Sequence, residues 1–509
     1  MKWLFRAQHL IHGKIYLYKY LIIISMEIKD LSPKQLWQHF AELNAVPRAS
    51  KKEERVIAFM MDFGKRLGLD TAKDAIGNVV IKKPATPGME NRQTVILQSH
   101  LDMVHQKNSD TVFDFDTQGI DMYVDGDWVK ARGTTLGADN GIGVAAIMSV
   151  LAAKDIAHPA IEAMFTIDEE TGMTGAKQLD PVNFTGKILL NLDTEEEDEL
   201  TIGCAGGIDT NTRGTYREVP ADKNAVAFVI SIKGLLGGHS GMDIHKGRAN
   251  ANKLMNRLLY KAAQQVNIQL GSLDGGSLRN AIPRESQAVV TVPAGDKETF
   301  TRFIGEFTTT IKEEYHTIEP GLALECKETT LPAQVMEPAY LEQLLRAVYA
   351  ASNGVFRMSP DIAGLVEASS NLAKVQAKDG VFITQSLQRS SVESTKNDVA
   401  NAVSAAFEII GCEVGQDGDY PGWKPNADSA VLRLLLALYK DHFTHTPKVG
   451  ACHAGLECGI LGAHLGNPDM ISFGPTIRGA HSPDERVQIS SVAKFYDYLL
   501  HILREIPAK

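Results

Sequence analysis

The chain has 509 residues, 44% of them hydrophobic and 22% charged, enough for at least two domains with full cores. A net charge of −10, with no basic stripe interleaved with aromatics, argues against a nucleic-acid partner. Five scattered cysteines (Cys204, Cys326, Cys412, Cys452, Cys458) fit a reducing compartment rather than a disulfide framework, so a cytoplasmic protein is expected.

Residues 1–25 stand apart from the rest. Lys14–Ser25 is apolar, aromatic and basic, but Lys19 interrupts it and leaves too little for the ~20 residues of a membrane span. No A-x-A-like cleavage site follows. Met26 is therefore read as the true start, the preceding segment being non-native or disordered, with a cleaved signal as the alternative. No membrane association is expected. Ser32 then reads as a helix N-cap, with Pro33 at the first helical position.

From Leu36 to Leu69 the apolar spacing is helical. Asn78–Lys82 and Thr94–Gln98 read as strands, Gly141–Ala153 as a helix, and Ile161–Ile167 and Ile188–Leu192 as buried strands. Short apolar strands alternating with helices predict an α/β sheet covered on both faces. After Cys204–Asp209 the character changes. Strands at Phe228–Lys233, Ala288–Val292, Gly364–Glu367 and Val381–Leu387 mix with helices at Asn250–Gln264, Thr299–Tyr315, Tyr340–Ala350 and Thr395–Ile410. This predicts two successive α+β units of similar size. Gly418–Asn426 is a strong breaker, after which the chain again reads as α/β.

Five residues of metal-ligand type lie along this chain: His100 in Q-S-H-L-D, Asp139 in G-A-D-N-G, Glu170 in D-E-E-T-G, Asp193 in N-L-D-T and His481 in G-A-H-S-P-D-E. Two histidines and three carboxylates suit a pair of zinc ions that share one bridging carboxylate. His100, Glu170 and Asp193 follow strand ends, where ligands of open α/β sheets gather. Each has a bland alternative: a satisfied surface histidine, a helix-capping aspartate, a charged turn. Asp102, two positions after His100, faces the same way and suits the second ring N–H of that histidine. Glu169, offset by one from Glu170, suits a general base that takes a proton from water held between two ions. Glu195–Asp198 reads as a solvated acidic run. Cys452, His453 and Cys458 lack the fourth ligand of a structural zinc site; the two cysteines read as packing residues, and His453 and Glu457 as candidates for lining a cleft.

The ordered motifs H-L-D, G-A-D-N-G, D-E-E-T-G, N-L-D, G-G-H-S-G and G-A-H-S-P-D-E resemble the M20 family of di-zinc metallopeptidases. The longer matches R-G-T-T-L-G-A-D-N-G-I-G, K-G-L-L-G-G-H-S-G, L-R-N-A-I-P-R-E, Y-P-G-W and H-A-G-L-E-C-G point to its dipeptidases, over roughly Met26 to Lys509. The resemblance implies an α/β zinc-peptidase-like catalytic domain (26–206 and 419–509) with an inserted α+β lid or dimerisation domain (207–418). Asp139 would bridge both zinc ions, His100 and Asp193 completing one site and Glu170 and His481 the other. Asp102 would orient His100, Glu169 would be the base, and His239 would stabilise the oxyanion. Asn280 and Arg389 would hold the substrate carbonyl and C-terminal carboxylate. The implied activity is hydrolysis of small unblocked dipeptides, preferentially Xaa-His and carnosine-like ones, with cobalt or manganese able to replace zinc. A related aminoacylase or a non-catalytic peptide-binding protein is the alternative. The family lid is usually one α+β unit used for dimerisation, so two units here leave a homodimer open.

Overall fold

Six consecutive buried residues, Val95–His100, form a strand in the middle of an eight-stranded sheet. A strand covered on both faces reads as an unbroken buried run, and Ile161–Thr166 and Ile188–Asn191 follow the same pattern. In this computed structural model, which describes residues 27–443 and 445–509, Val95–His100 pairs in parallel with both of them. Ile188–Asn191 pairs in parallel with Asp469–Ser472. Antiparallel strands flank this parallel centre, Val79–Lys83 and Asp70–Lys73 on one side and Glu199–Cys204 on the other. The helix Ala138–Ala152 is apolar and buried around almost its whole circumference and packs between the Val95–His100 strand and the helix Lys34–Asn44. That first long helix begins one residue later than the expected Ser32–Pro33 cap, with no side chain capping it. The expected leader and the start at Met26 lie outside the described residues.

The chain divides into two compact units. The first runs to Ile202 and resumes over Asn426–Gly450 and Ile460–Lys509; the second is Gly203–Pro425 with Ala451–Gly459. The short second piece joins because Ala205 N–H donates to the carbonyls of Cys452 and Ala454.

The second unit is built from β1 (Gly206–Thr215), β2 (Ala225–Lys233), α1 (Ala251–Ala262), β3 (Gln269–Gly275), β4 (Ser286–Pro293), α2 (Lys297–Glu314), β5 (Ala323–Thr329), α3 (Pro338–Ala350), β6 (Val366–Lys378), β7 (Val381–Ser390), α4 (Glu393–Glu408) and β8 (Glu413–Tyr420). The sheet order β5-β2-β4-β3-β6-β7-β1-β8, with Gly354–Met358 added beside β6, is one continuous nine-stranded sheet. It contains the β-α-β-β-α-β motif twice: β2-α1-β3-β4-α2-β5, and β1-α3-β6-β7-α4-β8. The strand orders mirror each other, and the motifs join antiparallel through their equivalent strands β3 and β6. The predicted units are thus present but not successive: the first is nested between β1 and α3 of the second. Alternate strand residues such as Phe228, Val290 and Phe382 meet Leu258, Phe300, Leu344 and Phe407 from the four helices in one core. Among the described residues no helix is long and apolar enough to cross a membrane.

Candidate metal centre and histidine cluster

In the first unit, four adjacent parallel strands end at one place. His100 closes Val95–His100, Glu169 and Glu170 open the short helix just beyond Ile161–Thr166, and Asp193 follows Ile188–Asn191. His481 lies in the loops beyond Asp469–Ser472, in a left-handed conformation with φ of 64°. Asp139 joins them from the start of Ala138–Ala152. Carboxyl ends of parallel strands are where an α/β sheet leaves a crevice for a ligand.

The five residues form two overlapping triads, His100–Asp139–Asp193 and Asp139–Glu170–His481, each with its ligand atoms within 4.8 Å of one another. The two carboxylate oxygens of Asp139 divide between them. Oδ1 lies 3.2 Å from His100 Nε2, and Oδ2 lies 3.3 Å from His481 Nε2. Asp193 Oδ1 is 3.5 Å from His100 Nε2, and Glu170 Oε2 is 2.9 Å from His481 Nε2. Imidazole nitrogen and carboxylate oxygen are the donors that zinc and its first-row neighbours accept, so the cluster is able to hold metal.

The charges in this cluster interlock. The hydrogen bonds of Asp139 and Glu170 push His481 up to about 11. Burial works against a charged His100, but Asp193, Asp102 and Asp139 outweigh it and raise its pKa well above the ordinary value. Burial likewise opposes ionisation of Asp139, yet the two histidines hold its pKa below the usual carboxylate range. Glu170 and Asp193 are raised, chiefly by burial. Such a cluster holds protons that a divalent cation displaces.

A second layer of contacts sets the geometry. Asp102, fully buried, places Oδ1 3.4 Å from His100 Nδ1, while its backbone carbonyl lies 3.2 Å from the same nitrogen. The same carboxylate accepts the backbone N–H of Glu169 at 3.0 Å and of Glu170 at 3.3 Å, and the Ser50 hydroxyl at 2.8 Å. Asp102 therefore ties a histidine of one triad to the Glu169–Glu170 turn of the other. Asn140 donates to the Leu192 carbonyl and to Asp193 Oδ1. A Cβ at Gly143 would lie 2.6 Å from the backbone carbonyl oxygen of Leu192, so only glycine fits there.

Glu195–Asp198, expected to be a solvated run, is only partly so: all four residues are half-buried. Glu196, Glu197 and Asp198 pair with Arg478, Lys494 and Lys448. Glu195 turns inward, where burial and the charges of Asp139 and Asp193 push it up to about 8. Its carbonyl accepts the Ile477 N–H, latching the Asp193 loop to the segment that leads to His481.

The second unit has its own polar cluster, centred on Ser240. Ser240 N–H donates to the Asn280 carbonyl at 2.8 Å, and Arg389 Nε lies 3.3 Å from Ser240 Oγ. Arg389, 5% exposed, also donates to the Tyr420 hydroxyl at 3.0 Å and makes no ion pair among the described residues. His239 Nδ1 accepts the backbone N–H groups of Gly241 at 3.1 Å and Met242 at 3.0 Å. A doubly accepting Nδ1 places the ring proton on Nε2. Burial and the Arg389 charge lower the pKa of His239, which keeps the ring neutral with an N–H to donate. His453 Nε2 lies 2.8 Å from Ser369 Oγ and is held at about 3 by burial and Arg389.

A family profile described as peptidase dimerisation domain, of the M20 peptidases, matches residues 230–319, inside the second unit. The cytosol non-specific dipeptidase of Escherichia coli (strain K12) is 42% identical over 485 residues, 95% of this chain and 100% of that protein. The chain belongs to the M20 family of metallopeptidases. An M20 chain requires a divalent metal, and the two triads supply a cluster able to hold it. The crystal structure of aminoacylhistidine dipeptidase from Vibrio alginolyticus is similar throughout, with a TM-score of 0.90, 43% identity and coverage of 95% of this chain and 99% of that one. An aminopeptidase from Bacillus cereus shares the fold alone, at 17% identity and a TM-score of 0.55.

Within this M20 frame, the residues named from the sequence fall into two groups. His100, Asp102, Asp139, Glu169, Glu170, Asp193 and His481 come together in the first unit; His239, Asn280 and Arg389 come together in the second. Sequence reasoning missed Ser50, Asn140, Ser240 and Tyr420. The last three lie inside quoted motifs, G-A-D-N-G, G-G-H-S-G and Y-P-G-W, which marked their positions without revealing their contacts.

Proposed function

We propose that this M20 enzyme is a cytoplasmic dipeptidase holding two divalent ions, zinc by preference, with cobalt or manganese able to substitute. The observation that carries the reading is the division of the two Asp139 oxygens between separate triads, beside the Glu169–Glu170 turn that Asp102 holds. His100 and Asp193 would complete one ion's protein ligands, Glu170 and His481 the other's. The ions supply Lewis acidity, polarising a carbonyl and acidifying water.

The remaining chemistry falls to the chain. Glu169 takes the proton of the attacking water and returns it to the leaving amine. His239, neutral with its proton on Nε2, donates to the oxygen on which charge develops. Arg389, a buried guanidinium without a carboxylate partner among the described residues, takes the C-terminal carboxylate of the peptide, and Asn280 its carbonyl. The first unit is read as the catalytic domain and the second as its lid. The name of the Vibrio alginolyticus protein favours Xaa-His peptides, carnosine-like ones included, whereas that of the Escherichia coli protein favours a broad dipeptide range. The described dimerisation domain favours a homodimer, which sedimentation measures.

The test joins metal analysis to a substrate panel. Two ions per chain after zinc loading, with turnover of Xaa-His dipeptides and none of N-acyl amino acids, is expected. Turnover of N-acyl amino acids alone, or fewer than two ions, would sink this reading.

A further inference from the structure

Glu485 follows His481 by one turn of loop and is 2% exposed. Its carboxylate faces four consecutive backbone N–H groups. Oε2 accepts from Leu136 at 2.7 Å and Gly137 at 2.9 Å, and Oε1 accepts from Ala138 at 2.7 Å and Asp139 at 3.2 Å. Charge-assisted bonds of this kind are stronger than neutral ones, and four from one side chain leave the enclosed backbone little freedom. The segment so held ends at Asp139 itself.

The opposite side of the same backbone is gripped by Arg48, 1% exposed. Its Nη2 donates to the Gly137 carbonyl at 2.5 Å and to Asn44 Oδ1 at 2.9 Å, while Nη1 donates to the carbonyls of Leu101 and Asp102, both at 3.1 Å. The Gly137 residue is thus pinned at its N–H by an anion and at its carbonyl by a cation. The cation in turn reaches the segment just beyond His100. Two glycines of the motif follow from this. A Cβ at Gly137 would lie 2.5 Å from Arg48 Nη2, and one at Gly141 would lie 2.6 Å from it. They make room for the guanidinium.

We propose that Glu485, braced by Arg48, is the positioning residue that sets the carboxylate of Asp139 between the two triads. The inference rests on the proposed reading of Asp139 as the ligand shared by both ions. The reason is geometric. Asp139 serves two triads with one oxygen each, so a small rotation of its backbone that improves one contact spoils the other. Glu485 also comes from the loop that carries His481, so it locks the partner of Asp139 Oδ2 to the backbone of Asp139. Groups that orient metal ligands in this way typically contribute about 10–100-fold to metal affinity.

The experiment compares cobalt-loaded wild type with Glu485→Gln, which keeps the shape but turns an amide N–H₂ toward two backbone donors, and Glu485→Asp, which keeps the charge but shortens the reach. Chelator competition is expected to show affinity lowered by about 10–100-fold in Glu485→Gln and by less in Glu485→Asp. The visible cobalt spectrum should change in both, with kcat reduced more than KM is altered. Val290→Ala, a core truncation in the other unit, is the control for simple destabilisation and should keep wild-type affinity and spectrum. If Glu485→Gln does not fold, Glu485→Asp decides by the same readouts. Wild-type cobalt affinity and spectrum in the folded variants overturn the inference and leave the dinuclear reading standing. Undiminished cobalt binding by Asp139→Ala overturns that reading, and the inference with it.

Discussion

Two pairs of histidines in this chain are tuned in opposite directions. In the first unit, His100 and His481 stand against carboxylates, and their pKa values are raised. In the second, burial and the Arg389 charge lower the pKa values of His239 and His453, outweighing the Asp243 carboxylate that accepts the His239 backbone N–H. The residue type is the same; the neighbours decide its chemistry. A histidine among carboxylates holds a proton until a cation replaces it, which suits a ligand. A histidine kept neutral near a guanidinium offers a fixed N–H, which suits a donor to developing negative charge.

That contrast is open to direct attack. Its strongest test is Asp139→Ala, which removes the carboxylate common to both raised histidines. Loss of bound metal and of measurable turnover is expected, checked by metal analysis of the purified variant; metal retained at any fraction of the wild-type content would show that the triads are independent. Glu169→Gln comes next. It should lower kcat by about 10²–10⁴-fold while metal content stays at the wild-type level. Metal loss in that variant would move Glu169 from proton carrier to ligand.

His239→Ala probes the lowered pair. A fall of about 10²–10³-fold in kcat, with metal content unchanged, is expected for loss of one donor to an oxyanion. A variant that loses metal instead would place His239 with the raised pair.

The smallest effect concerns stability. His453 sits at about 3 against an ordinary 6.5. Between those values the unfolded chain binds a proton that the folded chain refuses, so stability falls as pH drops through the window, by up to about 1.4 kcal/mol per pH unit. Melting curves of His453→Gln should therefore lose less stability than wild type between pH 6.5 and 4. Parallel losses in the two proteins would show that His453 is not the group responsible.

Much of this contrast was readable in advance, and particular residues show where reading stopped. Asp193 stood out because an acidic residue ending an apolar strand needs a reason to be there, and His481 because its loop is too polar for a core histidine; His100, Asp139 and Glu170 stood out only as members of the ordered set. Glu195 was not, because an acidic run looks the same in sequence whether its members face water or turn inward. Strand β6 was foreseen only at its start, near Gly364–Glu367. Its body, V-E-A-S-S-N-L-A-K-V-Q-A-K, is rich in small and polar residues with weak strand preference, and it persists because β3, β7 and Gly354–Met358 pair with it. The nesting of one β-α-β-β-α-β motif inside the other was also hidden, since strand order depends on pairings between segments far apart in the chain.

Local residue chemistry was enough to name the donors, to separate two α/β blocks from the α+β block between them, and to mark the glycines that a close approach requires. It could say that Gly137 and Gly141 have something near them, but not that the neighbour is Arg48. The tertiary structure decided which oxygen of Asp139 faces which histidine, which carboxylate accepts its backbone N–H, and which histidines have their pKa values raised and which lowered. Those outcomes depend on distances of a few ångströms between residues up to several hundred positions apart, where Coulomb energy and desolvation change steeply.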